Sequence, residues 1–238
     1  MATFVSLDVF RPEINQYCPG APAILIRTHV LKAAIRFCER TMILKKDPST
    51  FCLDEEEHTY TLKYSSDRYR AINIEDITLG TGSTAWKVSV TTEHELDSSI
   101  RNWRQHTNTK PSNCYLTEDL NRIRFYPAAS EDTDDEINLT TAVTYKRDQT
   151  EIDEFLYEKW EDVIQAGAIA TLLGIQGSSW YDRGQSETFG RAWSRGIRRA
   201  RKIVTAGTGD QPGRVTPQSF ITQGNGAAVN RQGNYWDR

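Results

Sequence analysis

The chain has 238 residues, 38% hydrophobic and 26% charged, enough to bury the core of one large domain or two small ones. No run of about eighteen apolar residues exists, and the opening MATFVSLDVFRPEINQY holds acids and a proline where a secretory leader needs an apolar stretch, so neither a membrane span nor export is expected. A net charge of -3 argues against a protein that coats nucleic acid with its whole surface, and four irregularly spaced cysteines, Cys18, Cys38, Cys52 and Cys114, predict reduced thiols, not a disulfide framework or a zinc site.

Over residues 23–44, Leu31, Ile35, Cys38 and Met42 recur at steps of three and four, with Ile26, Val30, Ala33 and Phe37 on an adjacent stripe. That spacing predicts a helix with a broad buried face, opened by Pro22 at its first turn. Residues 46–150 change to short β-rich runs at 59–64, 71–79, 86–90, 114–116, 122–126 and 137–145, with turn chemistry at Gly80, Gly82, Asp119 and Asn121. Thr92 and Glu95 read as a capping box that opens a short helix carrying Ile100 and Trp103. Helical spacing returns at Ile152, Leu156, Trp160, Val163, Gly167, Ala170 and Leu173, and Gly174 and Gly177 stop it. A last helix over 182–204 places Phe189, Trp193, Ile197, Ala200 and Val204 on one face. Helices interrupted by a β-rich segment must bury their apolar faces on one another. The expected fold is therefore α+β: an α-helical bundle from 1–45 and 151–204, an inserted β-rich lobe over 46–150, and an extended C-terminal arm over 205–238.

Charge follows the same division. Residues 21–45 carry Arg27, Lys32, Arg36, Arg40 and Lys45 against Glu39 alone, whereas residues 46–150 hold nineteen acids against twelve bases. Such asymmetry marks directional surfaces. On the last helix Arg191, Arg195, Arg198 and Lys202 recur at steps of four, three and four, away from the apolar stripe, with Arg199 and Arg201 beside them. This face is a candidate for contact with a neighbouring subunit, an acidic partner or a nucleic-acid backbone. The arm is rich in Gly, Gln, Asn and Thr and cannot bury enough surface to fold alone. Its Phe220, Ile221, Val229, Tyr235 and Trp236 are candidate anchors for docking on another chain.

A search for chemistry returns little. The sequence holds no GxSxG, no phosphate loop, no HExxH and no dinucleotide-binding glycine pattern after a strand. Gly80-Thr81-Gly82 fits a turn, and His29, His58, His94 and His106 are scattered. The acidic runs Asp54-Glu55-Glu56-Glu57 and Glu131, Asp132, Asp134, Asp135, Glu136 lack the spacing of a calcium loop and fit solvated or partner-facing patches. The expectation is a protein that is not an enzyme and has no cofactor or metal.

Several blocks in order resemble the head-to-tail adaptors of tailed bacteriophages, the group that includes the tail tubular proteins of short-tailed phages. They are Val9-Phe10-Arg11-Pro12-Glu13, then Tyr17-Cys18-Pro19-Gly20-Ala21-Pro22, the stretch from Leu31 to Thr41, and Leu120-Asn121-Arg122-Ile123-Arg124-Phe125-Tyr126-Pro127. The strongest is the run from Phe155 to Leu173, FLYEKWEDVIQAGAIATLL, with Trp180 after it. The chain departs from the usual pattern at Met42-Ile43-Leu44, where a tryptophan is frequent, and at Ala128-Ala129, where a second proline is frequent. The resemblance implies a structural virion protein of the tail or neck, assembled in the host cytoplasm into a ring, commonly a dodecamer, beneath the portal protein. It joins head to tail, contacts a distal tail (nozzle or tail-tube) protein and prolongs the channel for viral DNA, with no membrane partner. An acidic β-lobe and basic helices would then be complementary faces of neighbouring subunits, and the arm would dock on the portal. A nucleic-acid-binding module that uses the basic last helix is the alternative.

Overall fold

The computed structural model describes residues 3–80, 85–119, 121–133 and 136–206. The candidate anchors Phe220, Ile221, Val229, Tyr235 and Trp236 lie outside the described residues, as do Gly82, Leu120, Asp134 and Asp135.

The chain is mixed α and β. Strand β1 (Phe4–Ser6), a 3-10 turn (Leu7–Phe10) and α1 (Arg11–Tyr17) precede α2 (Ala23–Thr41). Strands β2 (Lys45–Lys46), β3 (Thr59–Thr61), β4 (Tyr69–Leu79), β5 (Trp86–Lys87) and β6 (Ser89–Val90) follow, then α3 (Glu93–Ser99) and a 3-10 turn (Trp103–Gln105). After them come β7 (Thr107–Asn108), β8 (Asn113–Leu116), β9 (Arg122–Tyr126), β10 (Ala128–Ala129), β11 (Ile137–Tyr145), β12 (Glu151–Asp153), α4 (Glu154–Leu173) and α5 (Arg183–Ala206).

Three boundaries differ from the sequence expectation for physical reasons. The first long helix ends at Thr41, not at 44, because Met42 turns into the left-handed region at φ 54° while its N–H still bonds the Cys38 carbonyl. Ile152, read as the first apolar step of a helix, sits in β12, which pairs antiparallel with β1 through Val5. The last helix continues to Ala206, two residues into the stretch assigned to the arm. Thr92 caps α3 as expected, its hydroxyl accepting from the Glu95 N–H at 3.3 Å, but the Glu95 carboxylate accepts from Thr91 Oγ1 at 2.9 Å instead of completing a capping box. Helix α3 ends at Ser99, so Ile100 and Trp103 lie beyond it, Ile100 extended and Trp103 in the 3-10 turn after left-handed Asn102.

Two four-stranded sheets carry the β region, in the orders β2-β11-β4-β5 and β3-β9-β8-β6. The long antiparallel pair β4–β11 runs from Ile137 opposite Leu79 to Tyr145 opposite Tyr69, with irregularities between Thr140 and Thr141 and between Ala142 and Val143. One end of that ladder belongs to the β core: Ala71, Ile74, Ile77, Leu79, Ile137 and Leu139 pack with Tyr60, Ile123 and Phe125. The other end belongs to the helical core, where Tyr69, Val143 and Tyr145 join Ile26, Phe37, Leu156, Trp160 and Ile197.

Helices α2, α4 and α5 pack on one another through apolar faces. The α4–α5 seam is closed by glycine. A Cβ on Gly167 would stand 2.7 Å from Trp193 Cε3, and one on Gly196 would overlap the methyls of Val163.

A buried carboxylate pins the strands to the helices. Asp153, 4% exposed at the start of α4, accepts from Lys46 Nζ at 2.8 Å, Tyr145 OH at 2.6 Å and Tyr69 OH at 2.9 Å, and its N–H donates to the Tyr145 oxygen at 2.8 Å. Burial, with Asp153 nearby, pushes both tyrosine hydroxyls up, so they stay protonated as donors. The Cys38 thiolate form also opposes ionisation of Tyr145.

Candidate docking surfaces

On α5, Gly196, Ile197 and Ala200 are buried while Arg191, Arg195, Arg198, Arg199, Arg201 and Lys202 are exposed, because a helix packed along one stripe must present the opposite one to solvent. The six cations are not equivalent. Arg191 and Arg183 reach Glu187 at 3.8 and 3.2 Å, exposed pairs of little energetic weight. Arg201 Nε donates to the Arg40 carbonyl at 2.6 Å, so it satisfies an orphan acceptor in the last turn of α2 and fastens α5 there. Arg195, Arg198, Arg199 and Lys202 have no carboxylate partner among the described residues. Arg195 and Arg198 line a surface depression on α5 with Glu187, Gly190, Arg191 and Ser194.

A second basic surface is concave, and sequence reading did not assemble it. The outer face of α2 and the loop that follows β11 enclose a cleft of about 440 Å³. Leu7, Leu31 and Ile35 form its apolar floor, and Ile24, 75% exposed, stands beside them. Two of its arginines are already engaged: Arg27 grips Asp8 through Nε and Nη2 at 2.6 and 2.5 Å, and Arg70 meets Glu39 at 2.5 Å. Lys32, Arg36 and Arg147 line the same cleft with no carboxylate partner among the described residues. His29, one turn from Lys32, contacts Thr171 of α4 through Nδ1 at 2.8 Å. Burial, then the charges of Lys32 and Arg36, hold its ring below the ordinary imidazole range.

The acidic runs, distant in sequence, meet in space. Glu55 N–H donates to Asp132 Oδ1 at 2.7 Å, Glu56 N–H to the Ala129 carbonyl at 2.9 Å, and Thr133 N–H to the Leu53 carbonyl at 3.0 Å. Beneath the first loop, Tyr60 OH accepts from Asp54 N–H at 2.9 Å and faces the Asp54 and Glu57 carbonyls at 3.3 Å, and burial pushes its pKa up to about 12. The result is a fastened double loop whose Asp54, Glu55, Glu56, Glu57, Glu131 and Asp132 are all exposed and form no ion pair among the described residues. Their carboxylates do not converge as a metal site would require.

The remaining candidates lie apart. His106 Nδ1 approaches Tyr126 OH at 3.2 Å in a separate aromatic cluster of Trp103, Tyr115 and Tyr126. Cys18, Cys38 and Cys114 are buried, and burial raises their thiols, to about 11 for Cys18 and about 12 for Cys114, which keeps them unreactive. Gly80 takes φ 79° and donates to the Glu136 carbonyl, a turn closing the end of β4. Among the described residues no helix is long and apolar enough to cross a membrane. No protein-family model matches the chain, and no curated protein matches it.

Proposed function

We propose that this chain is a structural ring protein of the head-to-tail junction of a tailed phage, which sits beneath the portal, prolongs the DNA channel and acts without catalysis. In this reading α2, α4 and α5 form a helical bundle, residues 46–150 an inserted β-rich lobe, and the arm after Ala206 the portal-docking element. The observation that carries it is the α5 row. Four cations with no carboxylate partner among the described residues stand on the outer stripe of a helix whose other stripe is packed, where they can meet phosphates or a partner's acids. The acidic double loop adds a surface of the other sign to the same chain, which suits the contact between two different patches that a heterologous ring uses. The block resemblance from Val9 to Trp180 supplies the identity of the ring.

Electron microscopy and co-sedimentation of the purified protein with portal rings test the proposal. Rings on the portal are expected, and a monomer that stays off the portal overturns it. Deleting residues 207–238 is expected to abolish portal attachment while helical circular dichroism is kept; unchanged co-sedimentation would remove the arm from the mechanism. The same α5 row also favours a second reading, a nucleic-acid-binding module. A salt-dependent duplex affinity of the isolated protein, lost in Arg195→Glu/Arg198→Glu, would favour that reading.

A further inference from the structure

We infer that the cleft beside α2 receives the acidic double loop of a second copy of this chain. The inference rests on the ring reading for its requirement of a heterologous contact, and it names the two surfaces that make that contact.

Shape and charge agree. The cleft is concave and offers Lys32, Arg36 and Arg147 with no carboxylate partner among the described residues; the double loop is exposed and offers six carboxylates with no ion-pair partner among them. Each surface carries an excess of one sign: the cleft sets Lys32, Arg36 and Arg147 against the one exposed carboxylate of Asp148, which accepts from Gln149 Nε2 at 3.0 Å, and the carboxylates of the double loop have no ion-pair partner among the described residues. Juxtaposing them removes like-charge repulsion on both sides and steers encounter. The loop arrives preorganised: Tyr60 and the Glu55–Asp132 hydrogen bond hold it in shape before contact, which lowers the ordering entropy of association.

One chain cannot make this contact with itself. Glu131 and Asp132 lie just before β11, and Arg147, Gln149 and Thr150 of the cleft lie just after it. The strand between the two surfaces spans about 26 Å from Ile137 to Tyr145, at about 3.3 Å for each step along its nine residues. The loop therefore points away from its own cleft along the β4–β11 ladder, and its partner is a neighbour's cleft. A contact between two different patches on identical chains is head-to-tail and closes into a ring when its rotation permits. The α5 row is not used in this contact.

Charge exchange tests it. In sedimentation velocity at low salt, Lys32→Glu/Arg36→Glu and Glu55→Lys/Glu57→Lys are each expected to lose at least about tenfold in association constant relative to the unaltered protein. The substituted side chains are exposed, and thermal melts verify that both variants fold. Mixed in equal amounts the two variants are expected to associate again, because each copy then meets a neighbour of opposite sign. Unchanged association of either variant, no rescue on mixing, or an unaltered protein that stays monomeric with and without portal overturns the inference. Duplex binding that Lys32→Glu/Arg36→Glu abolishes while copies still associate assigns the cleft to a polyanion and likewise overturns it. If the exchanged pair assembles but no assembly binds the portal, the ring-under-portal reading falls and the contact stands; if both variants singly form rings on the portal, the contact falls and that reading stands.

Discussion

The helical core and the β core of this chain are built by different means. The helical core joins pieces remote in sequence: α2 meets α4 across more than a hundred residues of intervening chain, and the α4–α5 seam closes only where Gly167 and Gly196 leave out a side chain. The β core also joins remote strands, β3 to β9 and β4 to β11, with β8–β9 and β4–β5 as its chain neighbours, but it does so by ladder pairing and it tolerates short, irregular strands. The two are not separated by a linker. Strands β4 and β11 each contribute one end to either core, and Asp153 ties Lys46, Tyr69 and Tyr145 together where those ends enter the helices. The difference teaches that two hydrophobic cores can share one ladder and so share its stability.

Breaking the tie is the largest expected effect. Asp153→Ala strands the Lys46 ammonium and two tyrosine hydroxyls, a change expected to cost about 3 kcal/mol after allowance for the partial exposure of Lys46. Urea unfolding followed by helical circular dichroism and by the fluorine resonance of fluorotryptophan at Trp103, which separates it from the other tryptophans of the chain, reads both regions. Coincident transitions in the parent and split transitions in the variant are expected; coincident transitions in both would show that the shared ladder couples the cores without Asp153.

Next in size is the seam. Gly196→Ala forces a Cβ into Val163 and is expected to destabilise by about 2 kcal/mol, whereas Gly190→Ala on the same helix meets open space and is expected to stabilise by about 0.5 kcal/mol through helix propensity. Denaturant midpoints of the two variants check the sign of each. Equal effects would mean that α5 sits less tightly on α4 than the close approach requires. In the β region, Thr92→Ala removes the α3 cap and is expected to cost about 1 kcal/mol, read as a lower denaturant midpoint of the Trp103 fluorine resonance.

How much of this was legible in the sequence follows from the same contrast. The long helices were readable because their buried stripes repeat over five turns or more, and β9 and β11 because alternation and flanking turns bound them. Strands β1 and β12 were not, since three-residue strands paired across some 145 residues leave no local pattern, and Asp153 looked like one more acid at a helix start. The stop at Thr41 was hidden because Met42, not glycine, takes the left-handed turn. The basic α5 face was legible residue by residue, but Arg201 as a fastener of α2 was not. Both acidic runs were visible, while their meeting depends on Tyr60 and on backbone bonds between loops. The cleft depends on a loop more than a hundred residues from α2.

The smallest expected effect tests the helical region alone, through His29. Its folded pKa is lowered first by burial against α4 and then by Lys32 and Arg36 of its own helix, while Thr171 faces its Nδ1. Above about pH 6.5 the ring is neutral folded and unfolded and contributes no pH dependence. As pH falls through that value the unfolded chain takes up the proton first, so the folded state loses ground until pH passes below the depressed folded pKa, where the loss levels off. His29→Gln keeps a partner for Thr171 and removes the titration. Denaturant midpoints measured between about pH 5 and 8 are expected to fall more steeply with acidification in the parent than in the variant. Parallel curves would mean that the ring accepts its proton in place, and that the crowd of cations along α2 is weaker at His29 than its spacing implies.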